Sequence, residues 1–316
     1  MYRNSGRTGP PTIDYAPALA YLGSSPTLVN CAFVHNVAHG GGGMHNNGQF
    51  GYVSAPTLID CVFVGNLATR GQTKSQWGGG VANGNEGNAT LINCLFTGNK
   101  SHRGGAIGNY SSKPLIINCT LSGNVADFGG GLFNTQFSEP QLRNCVVWDN
   151  TGTQIYNRED LGANYPQVYY SCVQGGWSGA GGGNIHAAPV FVPGPGGCYY
   201  LSQVSAGQAV DSPCLDGGGD TAKYLGFNTV TTRSDEATDT GMVDMGYHYP
   251  VTGKPLVMGD FDRNLDVDLA DFVGLQNCFT GDSPAGISPC CRVFDFEPDE
   301  DVDLTDYGAF EILFNP

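Results

Sequence analysis

The chain has 316 residues, including 48 Gly and 11 Cys, and a net charge of −15. Residues 259–316 alone carry a net −12 (14 acids against Arg263 and Arg292), so the rest is close to neutral. Neither part offers the basic surface that nucleic acid requires, and no apolar run reaches the length of a membrane span.

Taken in chain order, the first residues (Met1-Tyr-Arg-Asn-Ser-Gly6) show no charged-then-apolar leader. They read as the middle of a repeat's turn, and the chain is expected to be part of a longer secreted protein. Five copies of one phrase follow, at Pro26–Asn36, Pro56–Asn66, Ala89–Asn99, Pro114–Asn124 and Pro140–Asn150, with a degraded sixth around Cys172. Their cysteines step by 30, 33, 25, 26 and 27 residues, and self-similarity at that period marks a solenoid. Each phrase places Leu or Ile three residues before the Cys and Phe, Leu or Val two after it. The period-two rule turns these side chains and the Cys inward, while the residue two before the Cys, Arg143 in one copy, faces water. The Asn before each Cys (Asp60 in one copy) is expected at a bend, because a short polar side chain tolerates left-handed geometry.

A Gly-rich second half completes each period, at Gly41–Asn46, Gly78–Asn83, Gly104–Asn109 and Gly129–Asn134. No period shows helical 3–4 spacing. A leucine-rich repeat would need a denser Leu frame and a helical half, and a propeller blade needs about 40 residues and four strands. The expected architecture is therefore all-β: a right-handed parallel β-helix whose strands stack about 4.8 Å apart. In such a stack the ladder cysteines form a column of small buried side chains. A zinc site would instead need mixed ligands converging from different positions.

What the chain does must come from residues that depart from the repeat. Eight residues after the ladder cysteines stand His39, Thr69, His102, Asp127 and Thr153, and one further on stand Gly40, Arg70, Arg103, Phe128 and Gln154. Stacking predicts a stripe containing His39, Arg70, His102, Arg103 and Asp127 along one edge. Such a stripe suits an acidic sugar, and in a lyase an Arg or His can take the proton alpha to a uronate carboxylate. The plainer alternative is a solvated turn, where repeats ordinarily vary. Trp77, Trp148 and Trp177 are either packing residues or stacking platforms for sugar rings, with Trp148 expected on an exposed face. Acids are few within the repeats (Asp60, Glu86, Asp127, Glu139, Asp149), which gives little support to the paired carboxylates of a hydrolase. Asp60 occupies a ladder position and is expected to be structural.

Beyond residue 184 the period is lost. The predicted organisation is repeats over 1–184, a C-terminal cap over 185–250 that covers the open end, a linker over 251–258 and an acidic module over 259–316. A disulfide between Cys198 and Cys214 is expected, as is one from Cys278 to either Cys290 or Cys291. Both imply an oxidising compartment.

The acidic module has a ligand order of its own. Asp260, Asp262, Asn264, Asp266, Asp268 and Asp271 fall at positions 1, 3, 5, 7, 9 and 12 of a calcium loop. Asp295, Glu297, Asp299, Asp301, Asp303 and Asp306 repeat that order, and a helical stretch follows each loop. Closely spaced carboxylates repel unless a divalent cation sits among them. Position 6, usually Gly, is Leu265 in one loop and Glu300 in the other.

Residues 259–316 resemble a type I dockerin, a duplicated calcium-loop-plus-helix module, and that resemblance implies Ca2+ and a cohesin-like or cell-surface partner. The first 250 residues resemble secreted β-helix proteins of the pectin-lyase-like fold, which include polysaccharide lyases and glycoside hydrolases. The leading expectation is an extracellular or cell-surface β-helix protein, carbohydrate-associated or scaffolding, whose tail docks a partner. The alternatives are a lyase or hydrolase acting on polysaccharide, and a purely structural surface or adhesin rod.

Overall fold

The structure, a computed structural model, describes residues 19–22, 24–48, 53–69, 77–253, 258–259, 267, 271–272, 275, 278, 290–296 and 301–313. It is mostly β, and four parallel ladders build the repeat region. A seven-stranded sheet runs from Thr27–Val29 through Thr90–Ile92 to Ala180–Gly182, and a six-stranded one from Ala32–Val34 to Cys172–Val173. A four-stranded sheet joins Val37–Ala38, Leu67–Ala68, Lys100–Arg103 and Val125–Phe128, and a second six-stranded sheet runs from Leu19–Leu22 to Ile155–Asn157.

The inward columns are those that alternation predicts. Leu58, Leu91, Ile116 and Leu142 form one, Cys61, Cys94, Cys119 and Cys145 another, and Phe33, Phe63, Phe96, Leu121 and Val147 a third, all fully buried. The Phe rings stack nearly parallel, at 4.5 Å between Phe33 and Phe63 and 4.6 Å between Phe63 and Phe96. Arg143 faces solvent. The bend before each Cys is left-handed, with φ between 47° and 53° at Asn30, Asp60, Asn93, Asn118 and Asn144. Asp60 accepts a 2.7 Å hydrogen bond from Asn93 Nδ2.

Two buried Asn ladders join the coils. In one, Asn36, Asn66, Asn99, Asn124 and Asn150 each pass Nδ2–H to the next side chain, and Gln154 ends the series by accepting from Asn150 at 2.7 Å. In the other, Asn46, Asn83, Asn109, Asn134 and Asn157 do the same in the Gly-rich half. An unpaired amide here would cost about 1–3 kcal/mol, so the ladders fix register as well as fill space.

The sixth repeat differs from the cysteine count. Cys172 pairs with Val146, not with Cys145, and Ser171 holds the ladder position. Ser171 Oγ donates to Tyr169 O at 2.8 Å, as Cys145 Sγ does to Arg143 O at 3.2 Å. A hydroxyl thus replaces a thiol in the same local bond, and the last step is 26 residues rather than 27.

The chain divides into two compact units. One comprises the residues up to Ala188 with Asp216–Asp220 and Met242–Tyr247, and the other Pro189–Leu215, Thr221–Gly241 and everything from His248 onward. In the first, the two returning segments bind the outer bends: Asn118 Nδ2 donates to Asp244 O at 3.0 Å and Gly219 N to Asn144 Oδ1 at 2.9 Å. In the second, an antiparallel hairpin pairs Phe191–Gly194 with Gly197–Leu201, and Tyr200 stacks on Tyr249 at 4.1 Å. A small core of Val267, Leu275, Cys278, Val293, Phe294, Val302 and Phe310 packs against the helix Leu304–Leu313.

The disulfides are Cys198–Cys290 and Cys278–Cys291. The expected Cys198–Cys214 bridge is therefore not formed. Cys214 is fully buried and takes part in neither bridge, whereas the Phe191–Gly194 strand of the hairpin that carries Cys198 packs against the Cys291–Val293 turn.

Candidate functional site

Of the predicted stripe, the four-stranded sheet places His102, Arg103 and Asp127 on adjacent strands. Lys100, Ser101 and Arg103 pair with Val125, Ala126 and Phe128, which sets His102 beside Asp127. His102 Nδ1 and Asp127 Oδ2 lie 2.6 Å apart, with the two side chains 23% and 73% exposed. One coil earlier, Thr69 Oγ1 sits 3.4 Å from His39 Nδ1. Arg70 lies outside the described residues.

The column beside it is not the one that counting from the cysteines gives. Trp77 bridges to Arg103. The Gly turn falls ten residues after Cys31, Cys94 and Cys119 but seventeen after Cys61, so the insertion puts Trp77 just before Gly78. Gln154 leaves the stripe as well, because it points inward to close the Asn ladder. Aligning the copies on their Gly-Gly pairs would reveal the first shift.

Around Arg103 the rings form a continuous chain. Tyr110 meets Trp77 at 4.7 Å, Trp77 meets Phe133 at 6.2 Å, and Phe133 stacks on Tyr156 at 5.7 Å. Tyr156 then meets Phe128 at 5.3 Å, and Phe128 meets the His102 ring edge-on at 5.5 Å. The Arg103 guanidinium lies 5.6 Å above the centre of Phe133, a cation–π geometry. Burial, then the neighbouring charge of Arg158, pulls the Arg103 pKa down from its ordinary value. Arg158 is itself held by Asp160 through bonds of 2.6 and 2.7 Å. Arg103 makes no ion pair among the described residues, so its donors remain available.

Next to this patch is a cleft of about 480 Å³ whose lining includes Trp77, Tyr110, His45, Asn47 and Asn85. Burial lowers the His45 pKa. The Trp77 indole N–H is buried there with no partner among the described residues. Amide groups beside aromatic faces suit a polyhydroxylated ligand.

Of the predicted calcium ligands, Asp260, Asp262, Asn264, Asp266, Asp268, Glu297 and Asp299 lie outside the described residues. Asp271 and Asp295 are buried, and the carboxylates of Asp301, Asp303 and Asp306 have ligand oxygens within 4.8 Å of one another. Asp306 is oriented by two backbone donors, Phe296 N at 2.7 Å and Asp303 N at 2.9 Å.

Residues 15–168 match the family described as right handed beta helix region. No curated protein and no solved structure matches the chain. With the stacked ladders, the match defines a right-handed parallel β-helix repeat protein. Among the described residues, no helix is long and apolar enough to cross a membrane.

Proposed function

We propose that this is an extracellular, carbohydrate-associated β-helix protein that binds an acidic polysaccharide along the Trp77–Arg103–Phe128 edge. The observation that carries the reading is Arg103: a guanidinium fixed on an aromatic ring and paired with no carboxylate among the described residues. A planar fork of donors recognises carboxylate or sulfate bidentately, and the neighbouring rings offer platforms for the sugar. Affinity electrophoresis through polygalacturonate, alginate and chondroitin sulfate tests this. The parent should be retarded by at least one of them and Arg103→Ala much less. A parent that migrates freely through all three contradicts the proposal.

A second reading, β-elimination, draws on the His102–Asp127 contact. With Asp127 accepting from Nδ1–H, the other ring nitrogen of His102 carries the lone pair that a base requires. It would take the proton alpha to a uronate carboxylate, the freed electron pair would form the C4–C5 double bond, the C4–O bond would break, and the departing oxygen would take a proton from water. Absorbance of unsaturated products in the same polysaccharides decides between binding and turnover.

For the acidic module the proposal is calcium binding and docking to a cohesin-like or other cell-surface partner. The donor set fits: hard oxygen ligands clustered from Asp301, Asp303 and Asp306 suit Ca2+ rather than a softer metal. In this reading Asp295, Glu297 and Asp299 complete one loop and the acids from Asp260 to Asp271 the other.

A further inference from the structure

A second departure from the repeat lies where the β-helix ends. At the bend following the Phe column the chain turns left-handed in every coil, and Gly65, Gly98 and Gly123 occupy the place in three successive coils. Asp149 stands there next, at φ 56°, a conformation that Gly adopts more readily than a short polar side chain. Its carboxylate is exposed and accepts no hydrogen bond among the described residues. Apart from His35 in the first coil, this is where the repeat replaces Gly, here with an acid whose carboxylate bonds to nothing among the described residues.

Asp149 lines a cleft of about 530 Å³ together with Gln154, Gln174 and Trp177. The cleft exists because the last coil is cut short. After Cys172–Val173 the chain passes directly to Ala180–Gly182 and adds no strand beyond Val125–Phe128 or Ile155–Asn157. The polar groups are fixed. Gln174 Oε1 already accepts from Asp149 N at 2.8 Å and Gln154 Nε2 at 3.0 Å, which leaves the Gln174 amide N–H groups as donors. Trp177 packs against the core and anchors its indole N–H on Ala180 O at 3.0 Å, so the ring has a set position.

We infer that this cleft is a binding site for a neutral sugar. An indole ring suits the apolar C–H face of a pyranose, the Asp149 carboxylate accepts from adjacent hydroxyls by charge-assisted bonds, and the Gln174 amide donates to a third oxygen. No cationic side chain lines the cleft, and Asp149 repels carboxylates, so the ligand differs in class from the acidic polysaccharide proposed for the Arg103 edge. The two sites stand or fall independently.

Isothermal titration with hexamers of β-1,4-glucan, β-1,3-glucan and β-1,4-xylan provides the test. The parent and Arg103→Ala should bind at least one hexamer with the same affinity. Asp149→Gly restores the residue of the neighbouring coils, so its melting temperature should equal or exceed the parent's while its affinity falls about tenfold or more. Gln174→Glu, which turns the donor into an acceptor, should weaken binding to a similar extent. If the parent binds no hexamer at millimolar concentration, or Asp149→Gly binds as the parent does, the inference is wrong. If Asp149→Gly weakens binding only alongside a lower melting temperature, Asp149 is structural and the inference fails equally.

Discussion

At the scale of single residues, Asn99 shows how the solenoid is held. Its side chain donates to Phe63 O and Asn124 Oδ1, and its oxygen accepts from the backbone and side-chain nitrogens of Asn66. Asn99→Ala strips partners from both neighbours in a site closed to water, and should destabilise by about 2–4 kcal/mol. A urea midpoint unchanged from the parent's would mean that the ladder is not what joins the coils. His45 gives a pH signature. Its folded pKa lies below the unfolded 6.5 because burial disfavours the charged form. The unfolded chain therefore binds the proton first, and the contribution is full above about pH 6.5 and lost as the pH falls below it. The parent should lose stability relative to His45→Gln between about pH 7 and 5, and parallel curves would rule out a buried neutral His45.

At the scale of elements, the Phe column and the thiol column carry the predictions. Phe63 lies between Phe33 and Phe96 with no exposure, so Phe63→Ala should cost about 3–5 kcal/mol. Cys61 and Cys119 have thiols held above their ordinary pKa, Cys61 first by its hydrogen bond with Cys94 and then by burial, Cys119 first by burial. Cys61, Cys94, Cys119, Cys145 and Cys214 are all fully buried, so alkylation of the native protein should spare them, and peptide mapping should recover Cys198–Cys290 and Cys278–Cys291. Rapid native labelling of Cys94 would contradict the inward column. The inward columns and left-handed Asn bends were legible in the sequence because each repeats at one position per coil, and repetition reveals facing. Where a coil changes length, that signal fails. An insertion brings Trp77 beside Arg103, and Ser171 took the place that Cys172 was expected to hold. The Cys198–Cys290 bridge spans 92 residues, a pairing that spacing along the chain favours less than the neighbouring Cys214. In the acidic module, Asp260→Ala with Asp295→Ala should abolish a calcium-induced gain in helical circular dichroism. Equal helicity in chelator and in calcium would sink the proposed metal site.

At the scale of the molecule, the β-helix supplies columns, and function enters where a column is broken. The stack fixes Trp77, Arg103 and Phe128 side by side, so an acidic chain laid along that edge meets rings and a cation in a set order. The strongly negative charge belongs to residues 259–316 and leaves the repeats nearly neutral, which lets the Arg103 guanidinium decide the local preference. The most direct test is isothermal titration of a polygalacturonate oligomer at two salt concentrations, with the parent, Arg103→Ala and Arg103→Lys. One lost charge-assisted bidentate contact corresponds to roughly 1.5–3 kcal/mol, or about tenfold or more in affinity. Arg103→Ala should bind at least tenfold more weakly and with less dependence on salt, and Arg103→Lys should fall between. Equal affinity for all three proteins, or no binding by the parent at low salt, would contradict the account.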